Sequence, residues 1–452
     1  FWNTIVSNTK TTLQNLTILT ALCICIGAHA DEKDSLFGDD LPKAAKPATS
    51  SGSGIKGFIQ FEAARTVADP DHWSKLRTRA DLSATGKIGA DIKWKLGARL
   101  DYDAVYDIND FYNDDVRKDQ RFDAMLRENY LDYSAGNWDF RLGRQNVVWG
   151  EMVGLFFADV VSARDMREFI LPEFDQLRTP QWAVRAEYFK EDFHAELLWI
   201  PVATYDNIGK PGSEFYPYQP VPAGFNVRYL QEVRPERNAE NMNYGLRLST
   251  IKNGWDVSGF YYRSSDINPT FYRDAFSQPG TLIYQARHDR IHQFGSSLAK
   301  DFGDIVLKGE AVYTKGRSFT SLNAMDTDGV VAQNTLDWAA GLDFTLPADS
   351  RLNVQVFQRQ FFNYNAEIIP DKRENGYSLL LNTKFLNNWE AQALWISSAN
   401  RSDWLFRPKI TWNFERNWRL LLGADLFNGP QLGMFGRYDQ QDRVYSEVRY
   451  SF

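Results

Sequence analysis

From Ile55 onward the chain alternates apolar and polar residues with period two, the spacing at which neighbouring side chains of an extended strand point to opposite faces. Ile55, Gly57, Ile59, Phe61 and Ala63 share one side, and Lys56, Gln60 and Glu62 share the other. After an Asp69-Pro70-Asp71 break, Leu76, Thr78, Ala80, Leu82 and Ala84 alternate with Arg77, Arg79, Asp81 and Ser83. The clearest run is Ile92, Trp94, Leu96, Ala98, Leu100 and Tyr102, interleaved with Lys93, Lys95, Gly97, Arg99 and Asp101. Such a run, tilted by about 45°, reaches roughly 25 Å, the height of the apolar band of a transmembrane barrel. Strands of soluble domains average about half that length. The pattern predicts about 18 strands, near 55–66, 75–85, 91–103, 124–134, 137–146, 180–190, 192–202, 240–251, 255–264, 284–299, 304–315, 335–346, 351–362, 376–386, 389–398, 403–414, 418–427 and 443–452. The number falls to about 16 if two of the weaker strands belong to loops.

The connections alternate strictly between short and long. The short ones are turn-like: Ser134-Ala135-Gly136-Asn137, Lys252-Asn253-Gly254, Pro347-Ala348-Asp349-Ser350, Asn387-Asn388 and Glu415-Arg416-Asn417. Asn-Gly is a strong tight-hairpin signal. The long ones include 103–123, 147–179, 203–239, 265–283 and 315–334. With both barrel ends periplasmic, the short turns fall inside and the long loops outside, the arrangement of a bacterial outer-membrane barrel. Aromatics open or close many strands at the short turns: Trp138, Phe193, Trp255, Trp389 and Trp418, with Tyr188, Phe344 and Phe385. They are the expected girdle at headgroup depth. In hydrocarbon an unpaired sheet edge finds no water, so the sheet must close. The fold expected for 55–452 is therefore all-β: one transmembrane antiparallel β-barrel in the outer membrane of a Gram-negative bacterium. The closing strand carries Val448, Tyr450 and Phe452 on its apolar face, and it resembles the terminal signal that barrel assembly machinery recognises.

Residues 11–27 form an increasingly apolar run behind Lys10 that ends in Ala28-His29-Ala30. This is the pattern of an export signal over 1–30, cleaved after Ala30, with a flexible periplasmic segment expected over 31–54. Both cysteines, Cys23 and Cys25, lie in the signal, so disulfides, cysteine metal sites and covalently attached c-type haem are not expected. No cofactor and no metal site is expected. Loss of the signal removes Lys10 and takes the formal charge from -7 to -8. That balance fits no nucleic-acid partner. The expected partners are outer-membrane lipid, the assembly machinery and a small solute, and oligomerisation is left open.

The strongest local signature runs Phe140-Arg141-Leu142-Gly143-Arg144-Gln145-Asn146-Val147-Val148-Trp149-Gly150-Glu151, leading into Ser162-Ala163-Arg164-Asp165-Met166-Arg167-Glu168. A strand ending in Gly143-Arg144-Gln145, followed by Trp149-Gly150-Glu151, resembles the alginate-export type of outer-membrane porin. It also resembles a related proteobacterial family of barrels of unknown function. The likeness extends to Trp199-Ile200-Pro201 and implies a passive barrel that conducts or exports a solute.

The loop after the fifth strand holds the same place as the loop that general porins fold into their lumen. It carries Phe156, Phe157, Val160, Val161, Met166, Phe169, Ile170 and Leu171, too apolar a set for a loop left in water. Residues 150–175 are therefore expected to fold inward, offering Glu151, Asp159, Arg164, Asp165, Arg167 and Glu168 to the pore. Strand parity predicts an inward basic wall of Lys56, Arg77, Arg79, Lys93, Lys95, Arg99, Arg407, Lys409, Arg419, Arg443 and Arg449. Glu62, Asp81, Asp101, Asp425 and Glu447 are interspersed among them. These strands come from both chain ends and become neighbours on closure. A basic wall facing acidic surroundings sets up a transverse field that selects small polar or anionic solutes; the plainer expectation is that these charges pair among themselves. The acidic run through Asp101, Asp103, Asp107, Asp110, Asp114 and Asp115 weighs against a polyanion exporter. The aromatic loops Phe215-Tyr216-Pro217-Tyr218 and Phe361-Phe362-Asn363-Tyr364 suggest a facilitator of hydrophobic compounds as a further transport function. From another class, a barrel enzyme or a non-conducting anchor remains. Of His72, His194, His288 and His292, none sits in a nucleophile motif, so no catalytic residue is expected. His288 and His292 would share a strand face without a third metal ligand.

Overall fold

The computed structural model describes residues 54–150, 152, 158–274, 278–323 and 325–452. The expected signal 1–30, nearly all of the expected periplasmic segment 31–54, and Glu151, Phe156 and Phe157 of the constriction loop lie outside the described residues.

Eighteen strands close into one antiparallel barrel. They are β1 Ile55–Thr66, β2 Trp73–Ile88, β3 Ile92–Asp103, β4 Phe122–Leu126 with Asn129–Ala135, β5 Trp138–Gln145, β6 Gln181–Lys190, β7 Phe193–Val202, β8 Asn243–Lys252 and β9 Trp255–Ser265. The second half comprises β10 Arg290–Asp301, β11 Ile305–Thr320, β12 Val330–Leu346, β13 Ser350–Phe362, β14 Arg373–Phe385, β15 Trp389–Ser398, β16 Trp404–Glu415, β17 Trp418–Asn428 and β18 Arg443–Ser451. Each pairs with its sequence neighbours. Closure comes from β1 against β18, in register from Phe58↔Ser451 to Thr66↔Arg443. No edge of the barrel is left open, as hydrocarbon demands.

The burial pattern is inverted relative to a soluble protein. On β3, Leu96 is 55% exposed and Leu100 47%, while Arg99 and Asp101, on either side of Leu100, are 4% and 7% exposed. Parity puts the apolar side chains outside, where moving one leucine from water into lipid is worth about 1.5–3 kcal/mol. Charged side chains face the lumen and are buried there by the loop inside it. Among the described residues no helix is long and apolar enough to cross a membrane; the strands do so. The turn ends carry the aromatic girdle: Trp138 lies 5.0 Å from Tyr188, Trp389 stacks on Trp412 at 5.3 Å, and Trp418 meets Tyr450 at 4.9 Å.

Two departures from the sequence pattern matter. The fourth strand is interrupted at Arg127 and Glu128, where the side chain of Asn129 takes over the ladder, donating to the Gly97 carbonyl at 2.8 Å and accepting from its N–H at 3.3 Å. The strand expected at 284–299 is two elements. Thr281–Arg287 belongs to a small rim sheet, parallel to Asn226–Val233 and antiparallel to Thr270–Asp274. The barrel strand starts only at Arg290.

Candidate functional site: the lumen constriction

The segment between β5 and β6 folds back into the lumen, and its motif residues show why. Gly143 has φ +131°, and a Cβ there would sit 2.3 Å from the Asn129 carbonyl, so the strand can bend at this point only as glycine. Gln145 is fully buried and donates to the Ala183 carbonyl at 3.1 Å. Trp149 donates its indole N–H to Glu196 at 3.0 Å and packs on Phe260 and Tyr262. Around it Val147, Ala158, Val160 and Val161 cluster with Ala183, Leu198 and Ile200 of the adjoining strands. Glu310, on β11, accepts from the backbone N–H of Met152 at 2.8 Å and of Ala158 at 3.1 Å. Gly150 leaves room for that carboxylate: its Cβ would lie 3.2 Å from Glu310 Oε1 and 2.8 Å from the Asp159 nitrogen. A two-rung ladder, Ala163↔Thr179 and Arg164↔Arg178, pinches the base of the loop.

The other arm of the loop reaches the wall made by β1–β3 and β16–β18. Glu168 bonds Arg77 at 2.7 Å, contacts Lys75, and lies 3.3 Å from Arg443. Glu173 bonds Lys409 at 2.5 Å. The Leu171 carbonyl accepts from Arg407 at 2.6 Å, and the Gln176 carbonyl from Arg99 at 2.9 Å. One loop is thus fastened to Glu196 and Glu310 on one side of the barrel and to Lys75, Arg77, Arg407 and Arg443 on the other. It spans the lumen.

Two cavities flank this arm. One, about 710 Å³ of space that includes open solvent, is lined by rim residues Tyr106, Tyr112 and Glu214 together with Arg79 and Asp101. The second, about 510 Å³, opens toward Gln60, Leu421, Ser446 and Glu447, nearer the short-turn end. Both share Lys75, Arg77, Glu168, Pro172, Gln176 and Arg443. The side chains that separate the two spaces are therefore those of the Glu168 ion cluster. Burial alone would push the Glu168 carboxyl up; Arg77, Lys75 and Arg443 outweigh it and hold it well below the usual carboxylate range. Lys409 pulls Glu173 down to about 2 against the opposing effect of burial.

Most of the expected basic wall comes with carboxylate partners. Arg77 bonds Glu62 at 2.7 Å, Arg79 bonds Asp101 at 2.7 Å and Arg99 bonds Asp81 at 2.9 Å. Arg407 and Arg443 share the fully buried Asp425 at 2.7 and 2.9 Å. Lys95 pairs with Glu128 at 2.7 Å, Arg419 with Glu447 at 3.0 Å, and Arg449 donates to Gln60 at 2.6 Å. Lys56 and Lys93 are exposed near the short-turn ends of β1 and β3, away from the constriction. Among the described residues of the expected loop set, Glu168 alone reaches this wall. Asp159 pairs with Arg178 at 2.9 Å, Arg164 lies 3.7 Å from Asp206, and Arg167 grips Asp165 and Asp123, so these hold the loop to itself and to the rim. Arg144 stands opposite Trp182 in the β5–β6 ladder. Val448 and Tyr450 face Phe61 and Ile59 across the seam, and Phe452 follows the last strand residue.

Sequence reasoning passed over Lys75, Glu173 and Glu310 as site residues. Parity with Arg77 would have placed Lys75 inward, whereas the Glu310 and Glu173 contacts depend on a fold no local pattern encodes. His288 and His292 separate: His288 bonds Glu232 at 2.8 Å in the rim, and His292 meets the Tyr261 hydroxyl at 2.9 Å on the barrel. A different group, Glu187, His194 and Glu196, brings its ligand atoms within 4.8 Å of one another. Arg185 also bonds Glu187 at 2.9 Å, so a cation already occupies part of that group's charge.

A closed antiparallel barrel with lipid-compatible outer faces and a loop laid across its lumen defines a β-barrel of the outer-membrane type. The chain belongs to the family described as a protein of unknown function, DUF1302, which it matches over residues 71–344. No curated protein sequence matches it. Among solved structures, it is similar to OmpF of Salmonella typhi in complex with daunomycin, with 11% identity, a TM-score of 0.43, and coverage of 88% of this chain and 97% of that one. It is also similar to OmpT of Vibrio cholerae, an outer membrane protein in trimer form, with 10% identity, a TM-score of 0.44, and coverage of 89% and 100%.

Proposed function

We propose that the protein is a channel in the outer membrane of a Gram-negative bacterium, passing small polar or anionic solutes by diffusion, and that the β5–β6 loop forms its constriction. The observation that carries this reading is the loop's attachment to opposite walls of the lumen, with a cavity on each side of the Glu168 cluster. A non-conducting anchor has no need of paired cavities that meet at a ring of charge. The interleaved carboxylates of the same wall argue against export of a long polyanion, which would need an unbroken basic surface. The purified barrel in planar lipid bilayers tests the proposal. Stepwise conductance supports it, and electrical silence from protein shown to be folded by its heat-modifiable mobility overturns it.

A further inference from the structure

We propose that Glu168 is a built-in occupant of a carboxylate subsite, and that small carboxylates pass the constriction by taking its place among Lys75, Arg77 and Arg443. This rests on the channel reading above and names the solute class for it.

The geometry is that of a recognition site already filled. One carboxylate meets a guanidinium of β2 at 2.7 Å, the ammonium of Lys75, and a second guanidinium, from β18, at 3.3 Å. Guanidinium groups recognise carboxylates through charge and a planar fork of donors. All four side chains are nearly buried, at 5–14% exposure, so their charges are poorly screened. The strands alone do not balance these charges. Lys75, Arg77, Arg407 and Arg443 are in direct contact with only Glu62 and Asp425 from the wall. Glu168, which comes from the loop, is the third carboxylate of the group. Without it Lys75, Arg77 and Arg443, which line both cavities, keep direct contact with only two carboxylates, Glu62 and Asp425.

The surroundings let the carboxylate leave while the loop stays. Phe169 is held at φ +53°, an uncommon conformation for a side-chain-bearing residue, by ring packing on Phe427, Phe435 and Tyr438. Arg167, on the other flank, is tied to Asp165 at 2.8 Å. The backbone is therefore fixed on both sides of Glu168, and a rotamer change suffices to vacate the subsite. A solute carboxylate entering as Glu168 leaves keeps a third carboxylate among these cations throughout. An uncharged solute of equal size would have to leave them uncompensated in a poorly hydrated space, which is strongly unfavourable.

The test uses the purified full-length barrel in planar bilayers, with potassium succinate as the probe and Glu168→Gln as the variant. The amide keeps the shape and removes the competing charge; Glu168→Ala serves if the amide perturbs the loop. Both variants should shift the reversal potential in a KCl gradient toward chloride. Succinate should interrupt their current at about tenfold lower concentration than in the wild type, because an adjacent like charge no longer competes with it. A conducting wild type whose Glu168 variants keep the same reversal potential and the same succinate sensitivity would overturn the carboxylate subsite alone. A silent wild type would instead overturn the channel reading and this inference with it.

Discussion

Glu310 is the sharpest place to perturb the constriction, because one side chain tethers both ends of a short stretch of loop. Its two oxygens accept from the Met152 and Ala158 N–H groups at 2.8 and 3.1 Å, and the residue is 4% exposed. Hydrogen bonds to a charged acceptor contribute about 1.5–3 kcal/mol each, so Glu310→Ala removes about 3–6 kcal/mol of tethering. Even the lower figure shifts the ratio of seated to released loop by about a hundredfold. The barrel itself should hold, because Glu310 stays paired in the ladder with Ser297 and Ala339 through its backbone. Amide hydrogen exchange separates the two effects: protection at 147–162 should fall by about two orders of magnitude, while protection in β10–β12 is kept. Single-channel traces should show larger, noisier openings. Gly150→Ala should act in the same direction without touching a charge, since its Cβ would lie 2.8 Å from the Asp159 nitrogen, an overpacking cost of about 1–3 kcal/mol. Unchanged protection of 147–162 in both variants would refute the tether.

Other consequences follow from the same contacts. Asp425→Ala should lower barrel stability by about 3–5 kcal/mol, because it leaves Arg407 and Arg443 without their shared buried carboxylate; urea unfolding in lipid vesicles measures this, and a loss under 1 kcal/mol would count against the network. Leu96→Arg, on the lipid side of β3, should cost about 2–4 kcal/mol if the residue sits near the bilayer midplane, and Leu96→Phe should be tolerated; equal stability of the two variants in vesicles would contradict the assigned outer face. In the rim, burial pulls the His72 pKa down, but hydrogen bonds to Glu214 and the Pro70 carbonyl outweigh it, and the net shift is upward from 6.5. A raised histidine stabilises fully below its unfolded value and loses that contribution as pH rises through the folded one. The link from 72 to 214 should therefore loosen as the pH rises above 6.5 through the raised folded value, read as faster exchange around 205–216, and His72→Gln should abolish the pH dependence.

How much of this was legible in the chain depends on the range of the interaction. Period-two alternation is local, and lipid on one side with water on the other enforces it at every position, so strand number and loop parity could be read directly. The same alternation misled at 284–299, where Leu282, Tyr284 and Ala286 bury one face in the rim sheet and look like a barrel strand. His288 and His292 were expected on one face for that reason. The neutralised state of the wall was partly available: the short turn after Ile88 sets Arg79 opposite Asp101 and Asp81 opposite Arg99. The meeting of Glu168 with Lys75 and Arg443 was not, because it depends on closure of a sheet whose partners lie at opposite ends of the chain.

Lys75 belongs to the second strand and Arg443 to the eighteenth, with β1 and the β1–β18 seam between them, and Glu168 grips both. The grip can form only after the first and final hairpins have met, so the lumen narrows last, as a product of completed assembly. A chain stalled before that meeting keeps its lumen loop unmoored and proteolytically accessible, which makes cleavage at 165–176 a natural timer for the moment the cylinder shuts.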